Sequence, residues 1–213
     1  MESKSHKLDR MQQIIYLLKK EYPDSKCSLY YENAFHLLVA TILSAQCTDE
    51  RVNKVTYPVF KKLKAPSEYY DMSLEDIKKW IFSTGFYNNK AKSIKKLIKI
   101  LCNEYNESVP DNITELVKLP GVGRKTANVV LGTFYKVPSI VVDTHVTRLV
   151  NLLKFCRTKN AVIIERELSK IIAKKDWVIF THLMIDHGRK ICIANRPKCN
   201  ICILKNHCPS AHK

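Results

Sequence analysis

Leu119-Pro120-Gly121-Val122-Gly123-Arg124-Lys125-Thr126-Ala127-Asn128-Val129-Val130-Leu131 is the stretch on which the fold turns. Glycine is scarce, five in 213 residues, and two of the five stand here. A helix from about Ile113 to Lys118 is expected before the stretch and another from about Arg124 to Thr133 at its end. Pro120 ends the first helix, and the two glycines permit positive φ in a tight turn. The second helix then presents unpaired N–H groups and the positive end of its dipole. A phosphate can sit there without any side-chain charge. A helix–hairpin–helix carrying Gly121, Val122, Gly123 and Arg124 would therefore hold a nucleic-acid backbone independently of its sequence. A plain turn between two helices also favours glycine, so the hairpin by itself leaves both readings open.

Outward from the hairpin, the periodicity is helical nearly everywhere. Met11, Ile14, Ile15 and Leu18 follow the spacing of one helix face, as do Ile94, Leu97, Ile98 and Leu101, and Val146, Leu149, Val150 and Leu153. The segment from Phe35 to Gln46 is apolar almost all round and predicts a buried central helix. Ser73 with Asp76, and Asn112 with Glu115, have the spacing of capping boxes. Pro58 is expected to break or kink the helix that starts near Asp49. The β-branched run from Val137 to Val142 contains Pro138 and is read as a connection. No sustained alternation of period two occurs, so the chain is expected to be all-α, with roughly ten helices of ordinary length.

The composition narrows the class. Hydrophobic residues make up 46% of the chain, which excludes disorder throughout. The longest nearly apolar run, Phe35 to Ala45, is too short to span a bilayer. The first ten residues lack the apolar core of a secretory signal. A chain in the cytoplasm, associated with chromosomal DNA and without a membrane partner, is expected. Lys and Arg number 36 against 20 Asp and Glu, a net charge of +16. That excess suggests a polyanionic partner, nucleic acid foremost, although 28 lysines against 8 arginines also fit a lysine-biased proteome. Eight cysteines without a secretion signal argue against disulfides. Cys27, Cys47, Cys102 and Cys156 are scattered and read as core or surface thiols. Cys192, Cys199, Cys202 and Cys208 fall within seventeen residues, a spacing suited to one metal centre. Structural zinc is the generic reading of such a segment. Zinc sites more often pair two short Cys-x2–4-Cys units, however, and only one short unit exists here.

Several stretches resemble the endonuclease III family of DNA glycosylases. Residues 119–131 resemble its helix–hairpin–helix, and Val142-Asp143-Thr144-His145 its catalytic aspartate segment. Leu43-Ser44-Ala45-Gln46, Thr48-Asp49, Gly85-Phe86-Tyr87-Asn88 and His187-Gly188-Arg189 match further family stretches in the same order. The resemblance covers about residues 8 to 208. It implies two all-α lobes with the active site in the cleft between them. A six-helix barrel over residues 27–137 would carry the hairpin, and residues 1–26 with 138–213 would form a second lobe. The resemblance also implies one 4Fe–4S cluster held by the 6-2-5 spacing of the four C-terminal cysteines, not expected to perform the excision. Arg196 and Lys198, between the first two of them, and Lys205, before the last, would add phosphate contacts.

Lys125 follows the hairpin in the first turn of its helix. The plainer reading is a phosphate-contacting or solvated lysine. The chemical reading is an amine nucleophile, although at the ordinary pKa only roughly one amine in 2,500 is neutral at pH 7. The helix N-terminus and Arg124 both disfavour the charged form and are expected to lower that pKa. A neutral amine can attack C1′ of a damaged nucleotide, expel the base and form a Schiff base. β-Elimination then cuts the strand on the 3′ side. By the resemblance Lys125 is the family's nucleophile and Asp143 its catalytic aspartate, stabilising charge at C1′ and assisting proton transfer. The plainer reading of Asp143 is a helix N-cap. A glycosylase must take its base out of the duplex and fill the gap. The resemblance gives that wedge role to Gln46, Phe86 and His145. Phe86 departs from the leucine associated with its position.

The function implied is a bifunctional DNA glycosylase and abasic-site lyase of base-excision repair. It would be a monomer acting on double-stranded DNA that contains oxidised pyrimidines or abasic sites. A monofunctional relative acting on mispairs is a second reading, which Lys125 disfavours for the adenine-specific branch. A non-catalytic helix–hairpin–helix module is a third; it would not need Lys125 and Asp143 together.

Overall fold

The computed structural model describes residues 3–211. Among them lie ten α-helices and no strand. In chain order these are α1 (Lys4–Glu21), α2 (Ala34–Leu43), α3 (Asp49–Phe60), α4 (Leu74–Ile81), α5 (Tyr87–Glu104), α6 (Ile113–Leu116), α7 (Arg124–Thr133), α8 (Thr144–Leu152), α9 (Ala161–Ser169) and α10 (Trp177–Lys190). Short 3₁₀ turns join several of them. The chain forms two compact units, Ser28–Val137 and Met1–Cys27 with Pro138–Lys213. Among the described residues no helix is long and apolar enough to cross a membrane.

The unit of residues 28–137 is built around α2, every residue of which is buried. The apolar run therefore does form a buried helix, but it ends at Leu43, short of Gln46. Asn33 caps its start, accepting from the His36 backbone N–H at 2.8 Å. Val52, Phe60, Ile77, Ile81, Ile94, Leu97 and Val130 are all fully buried in the same unit. Each such side chain contributes roughly 1.5–3 kcal/mol relative to an exposed one. Pro58 does not break α3, which runs two residues beyond it. Its missing N–H removes a single bond, and in the last turn that loss is small. Ser73 caps α4 by accepting from Asp76 N–H at 3.1 Å. Asn112 caps α6 in the same way through Glu115 N–H at 3.0 Å. There the reciprocal half is not made by Glu115, whose carboxylate accepts from Lys118 Nζ and Tyr105 Oη instead.

The other unit packs α1, α8, α9 and α10 around Ile14, Leu18, Val146, Val150, Ile164, Phe180 and Leu183, all fully buried. The connection from Pro138 to Val142 has no regular structure, and Ile140, Val141 and Val142 are buried within it. Thr181 of α10 holds the connection: its Oγ1 lies 3.1 Å from Val141 N and 3.2 Å from Val141 O.

Candidate active site

The hairpin is made as a β-turn followed by an uncapped helix. Val122 N–H donates to Leu119 C=O at 3.1 Å, and Gly121 is left-handed with φ 77°. Proline at the second position and left-handed glycine at the third form the pattern of a type II turn. A Cβ on Gly121 would stand 3.0 Å from Ser93 Cβ and 3.2 Å from its Oγ. Glycine is thus required twice, by φ and by the approach of α5. Gly123 differs from the expectation that both glycines take positive φ: it is extended, φ −92°, and forms the N-cap of α7. No side chain caps that helix, and the N–H groups of a helix's first turn are the ones suited to an external acceptor. Val122 is buried and anchors the turn, whereas Arg124 and Lys125 are exposed in the first turn.

Two further candidates lie in this unit. Gln46 and Phe86 are both exposed and both left-handed, with φ 54° and 49°. Phe86 leaves 64% of its surface in solvent and follows Gly85, itself at φ 69°. Left-handed non-glycine backbone costs about 1–3 kcal/mol and collects at functional positions. Between the two turns lies Lys90, 7% exposed, which the sequence pattern did not single out. Its ammonium donates to Leu43 C=O and to Thr84 C=O, each at 2.8 Å.

In the other unit Asp143 is the N-cap of α8, accepting from Val146 N–H at 2.8 Å. The carboxylate is partly exposed, as is His145 behind it. His145 Nδ1 lies 3.3 Å from Arg148 Nη2, which also donates to Gly188 C=O at 3.1 Å and Cys192 C=O at 2.8 Å. A Cβ on Gly188 would come within 2.7 Å of His145 Nδ1 and 3.1 Å of Arg148 Nη2. The His-Gly-Arg stretch is thereby explained: α8 and α10 cross where only glycine fits. His187 is buried, with Tyr22 Oη 3.1 Å from its Nδ1 and Cys202 Sγ 3.5 Å from its Nε2. Burial pushes its imidazole down to about 4. The sequence does not mark Arg148, Tyr22 and His187 as partners, because the bonds of Arg148 to Gly188 and Cys192 and of Tyr22 to His187 join segments 40 or more residues apart.

Cys192, Cys199, Cys202 and Cys208 line one cavity of about 30 Å³ together with apolar groups such as Leu149, Leu153 and Leu204. All four are half-buried. Burial pushes the Cys192 thiol up to about 11, and the other three sulfurs add to the shift. Cys202 is raised chiefly by burial too. Among the described residues no group of three or more His, Cys, Asp or Glu is placed to hold a metal ion. The segment from Cys192 to Cys199 is closed by Lys198 N–H donating to Ile191 C=O at 3.0 Å, and it leaves Arg196 and Lys198 exposed. Lys205 is exposed as well.

A family model for the HhH-GPD superfamily base excision DNA repair protein matches residues 39–174. The chain is 46% identical over 193 residues to endonuclease III of Bacillus subtilis, covering 90% of this chain and 88% of that one. The chain belongs to the endonuclease III family. It is a base-excision DNA repair enzyme, a DNA glycosylase that is also an abasic-site lyase. Solved structures of endonuclease III share its fold. A non-covalent endonuclease III–DNA complex superposes with a TM-score of 0.91 and a trapped endonuclease III–DNA covalent intermediate with 0.90. Each is 45% identical and covers 96% of this chain and of its own. In this family member, the nucleophile candidate Lys125 belongs to one compact unit and the carboxylate candidate Asp143 to the other.

Proposed function

We propose that Lys125 is the nucleophile of this glycosylase and lyase, that Asp143 is its catalytic carboxylate, and that its substrates are oxidised pyrimidines in duplex DNA. Lys125 Nζ, as the neutral amine, attacks C1′; the C1′–N bond to the base breaks and the base departs with a proton. The C1′–O4′ bond then opens, O4′ taking a proton, to leave the lysine joined to C1′ as a Schiff base. The resulting Schiff base loses a C2′ proton, and the C3′–O bond breaks to cut the strand. The carboxylate of Asp143 stabilises positive charge at C1′ and relays protons. The observation that carries this reading is an exposed lysine in the first turn of an uncapped helix behind a type II hairpin. The hairpin N–H groups hold the phosphate backbone without reading sequence, and the nucleophile stands two residues beyond the cap. Gln46, Phe86 and His145 fill the gap left by the extruded nucleotide, and exposed Phe86 stacks on the neighbouring bases. Arg196 and Lys198 contact phosphates.

The test is borohydride trapping on a duplex carrying thymine glycol. Wild-type protein is expected to give a covalent complex on the damaged duplex only, and Lys125→Ala none. An equal yield from Lys125→Ala would remove the lysine from the chemistry.

Cys192, Cys199, Cys202 and Cys208 hold a 4Fe–4S cluster in this reading. What supports it is the donor set, four thiols around one half-buried cavity. The same four are not placed for a single ion, and a cluster binds its thiolates through different irons and needs no common centre. When bound, such a cluster supplies one-electron redox chemistry; the excision uses the lysine and the carboxylate. Protein purified without oxygen should be yellow-brown and contain about four irons per chain. A colourless protein with one zinc would overturn the assignment.

A further inference from the structure

Lys90 is a buried cation whose charge no carboxylate balances in the shift of its pKa; burial lowers it, and the one opposing group is the Cys47 thiol. Lysine is almost never fully buried unless paired. Here the partners are two main-chain carbonyls, 47 and 6 residues away in sequence. Leu43 is the last residue of α2, and its carbonyl is among those a helix leaves unsatisfied at its C-terminus. Thr84 ends the 3₁₀ turn Phe82–Thr84. Gln46 comes three residues after Leu43, and Phe86 two after Thr84. The backbone of Lys90 adds a third tie, its N–H donating to Phe86 C=O at 3.2 Å. Both turns are strained in the same way, with the side chain that faces solvent on a left-handed residue. The Lys90 side chain spans the gap between the two strained turns and ties them through its two bonds.

We infer that Lys90 is a positioning residue: its ammonium ties the Gln46 turn to the Phe86 turn, so that the two side chains enter the base stack as one wedge. This rests on the wedge reading of Gln46 and Phe86. Apolar packing alone would be served by methionine at this place, which fills the same volume without the two donors.

The experiment uses the whole protein and a duplex with 2-aminopurine opposite a tetrahydrofuran abasic analogue, where insertion of a wedge unstacks the fluorophore. Wild-type protein should raise the fluorescence, and Phe86→Ala and Gln46→Ala should lose most of the rise. Lys90→Met is expected to lose it as well. Its kcat for excision from duplex should fall roughly 10- to 100-fold, the scale of a misplacement near 1 Å. Cleavage of a preformed abasic site in single-stranded DNA, which needs no wedge, should be kept. A folded Lys90→Met that retains the rise, while Phe86→Ala loses it, overturns the inference and spares the wedge reading. Loss of single-strand cleavage in equal measure also overturns it, since the defect would then be general. Unchanged fluorescence in both Phe86→Ala and Gln46→Ala removes the wedge reading and the inference with it. Should Lys90→Met not fold, Lys90→Gln carries the same test, because its shorter amide cannot reach both carbonyls. A folded Lys90→Gln with wild-type fluorescence and excision overturns the proposal.

Discussion

Asp143 caps a helix and, in the proposed chemistry, also carries the catalytic charge, and substitution can separate the two. Its side chain caps α8 through Val146 N–H, a function asparagine performs about as well and alanine not at all. In the proposed chemistry the negative charge matters, and asparagine lacks it. Asp143→Asn is therefore expected to leave the thermal unfolding midpoint near that of wild type while excision falls roughly 100- to 10,000-fold, the range for a lost general acid–base group. Asp143→Ala should lose a similar amount of activity and, in addition, about 1 kcal/mol of stability. Unfolding curves and single-turnover excision on the two variants check this; full activity in Asp143→Asn would reduce the residue to a cap. The sequence already offered both readings of Asp143, because a cap is a local pattern. Lys90 was not legible in that way. Nothing near it in the chain distinguishes it from the solvated lysines around it, and its role comes from a carbonyl 47 residues distant.

At the scale of the element, α2 shows how a helix that is apolar all round accommodates a histidine. His36 is fully buried and stacks on Phe60 with ring centroids 4.0 Å apart and planes 2° from parallel. Its Nε2 donates to Leu63 C=O at 2.9 Å, while buried Nδ1 has no hydrogen-bond partner. A second proton would have to go on Nδ1 with nothing to receive it, and burial accordingly lowers the pKa from its ordinary 6.5. The folded protein thus refuses a proton that the unfolded chain accepts. Stability from this source is present above pH 6.5 and is lost as pH falls from there toward the depressed folded value, at up to about 1.4 kcal/mol per pH unit. His187 acts in the same sense, so the comparison is with a variant. His36→Gln can keep the bond to Leu63 C=O and does not titrate. Its urea midpoint is expected to change less than that of wild type between pH 7 and pH 5; parallel changes would contradict the argument. The crossing of α8 and α10 is a different case. Gly188 stands where a Cβ would meet His145 and Arg148, yet a lone glycine in a helix pattern says only that something comes close, not what. Pro58 is the reverse case, since its cost depends on how near the helix end lies.

For the whole molecule the net charge of +16 is the dominant electrostatic fact. If binding neutralises about five phosphates, log K should fall with log salt concentration at a slope near −4.5. Titrations of an undamaged duplex between low and physiological salt measure it, and a slope near zero would remove backbone charge as the source of affinity. Composition and periodicity were enough for the helical class, because burial on one face leaves its 3.6-residue period in the chain. The same holds for the hairpin: Pro120 and Gly121 encode a turn type within four residues, and a local conformation needs only local sequence. The sequence by itself thus determined the helices, the turn, the caps at Ser73, Asn112 and Asp143, and the spacing of the four thiols. Only the tertiary structure decided that Gly123 is an extended cap, that Gln46 and Phe86 are exposed on left-handed backbone, and that Lys90 bonds to the carbonyls ahead of both. Those features arise where separate segments meet, and the energy of a buried donor depends on which acceptor another part of the chain brings to it.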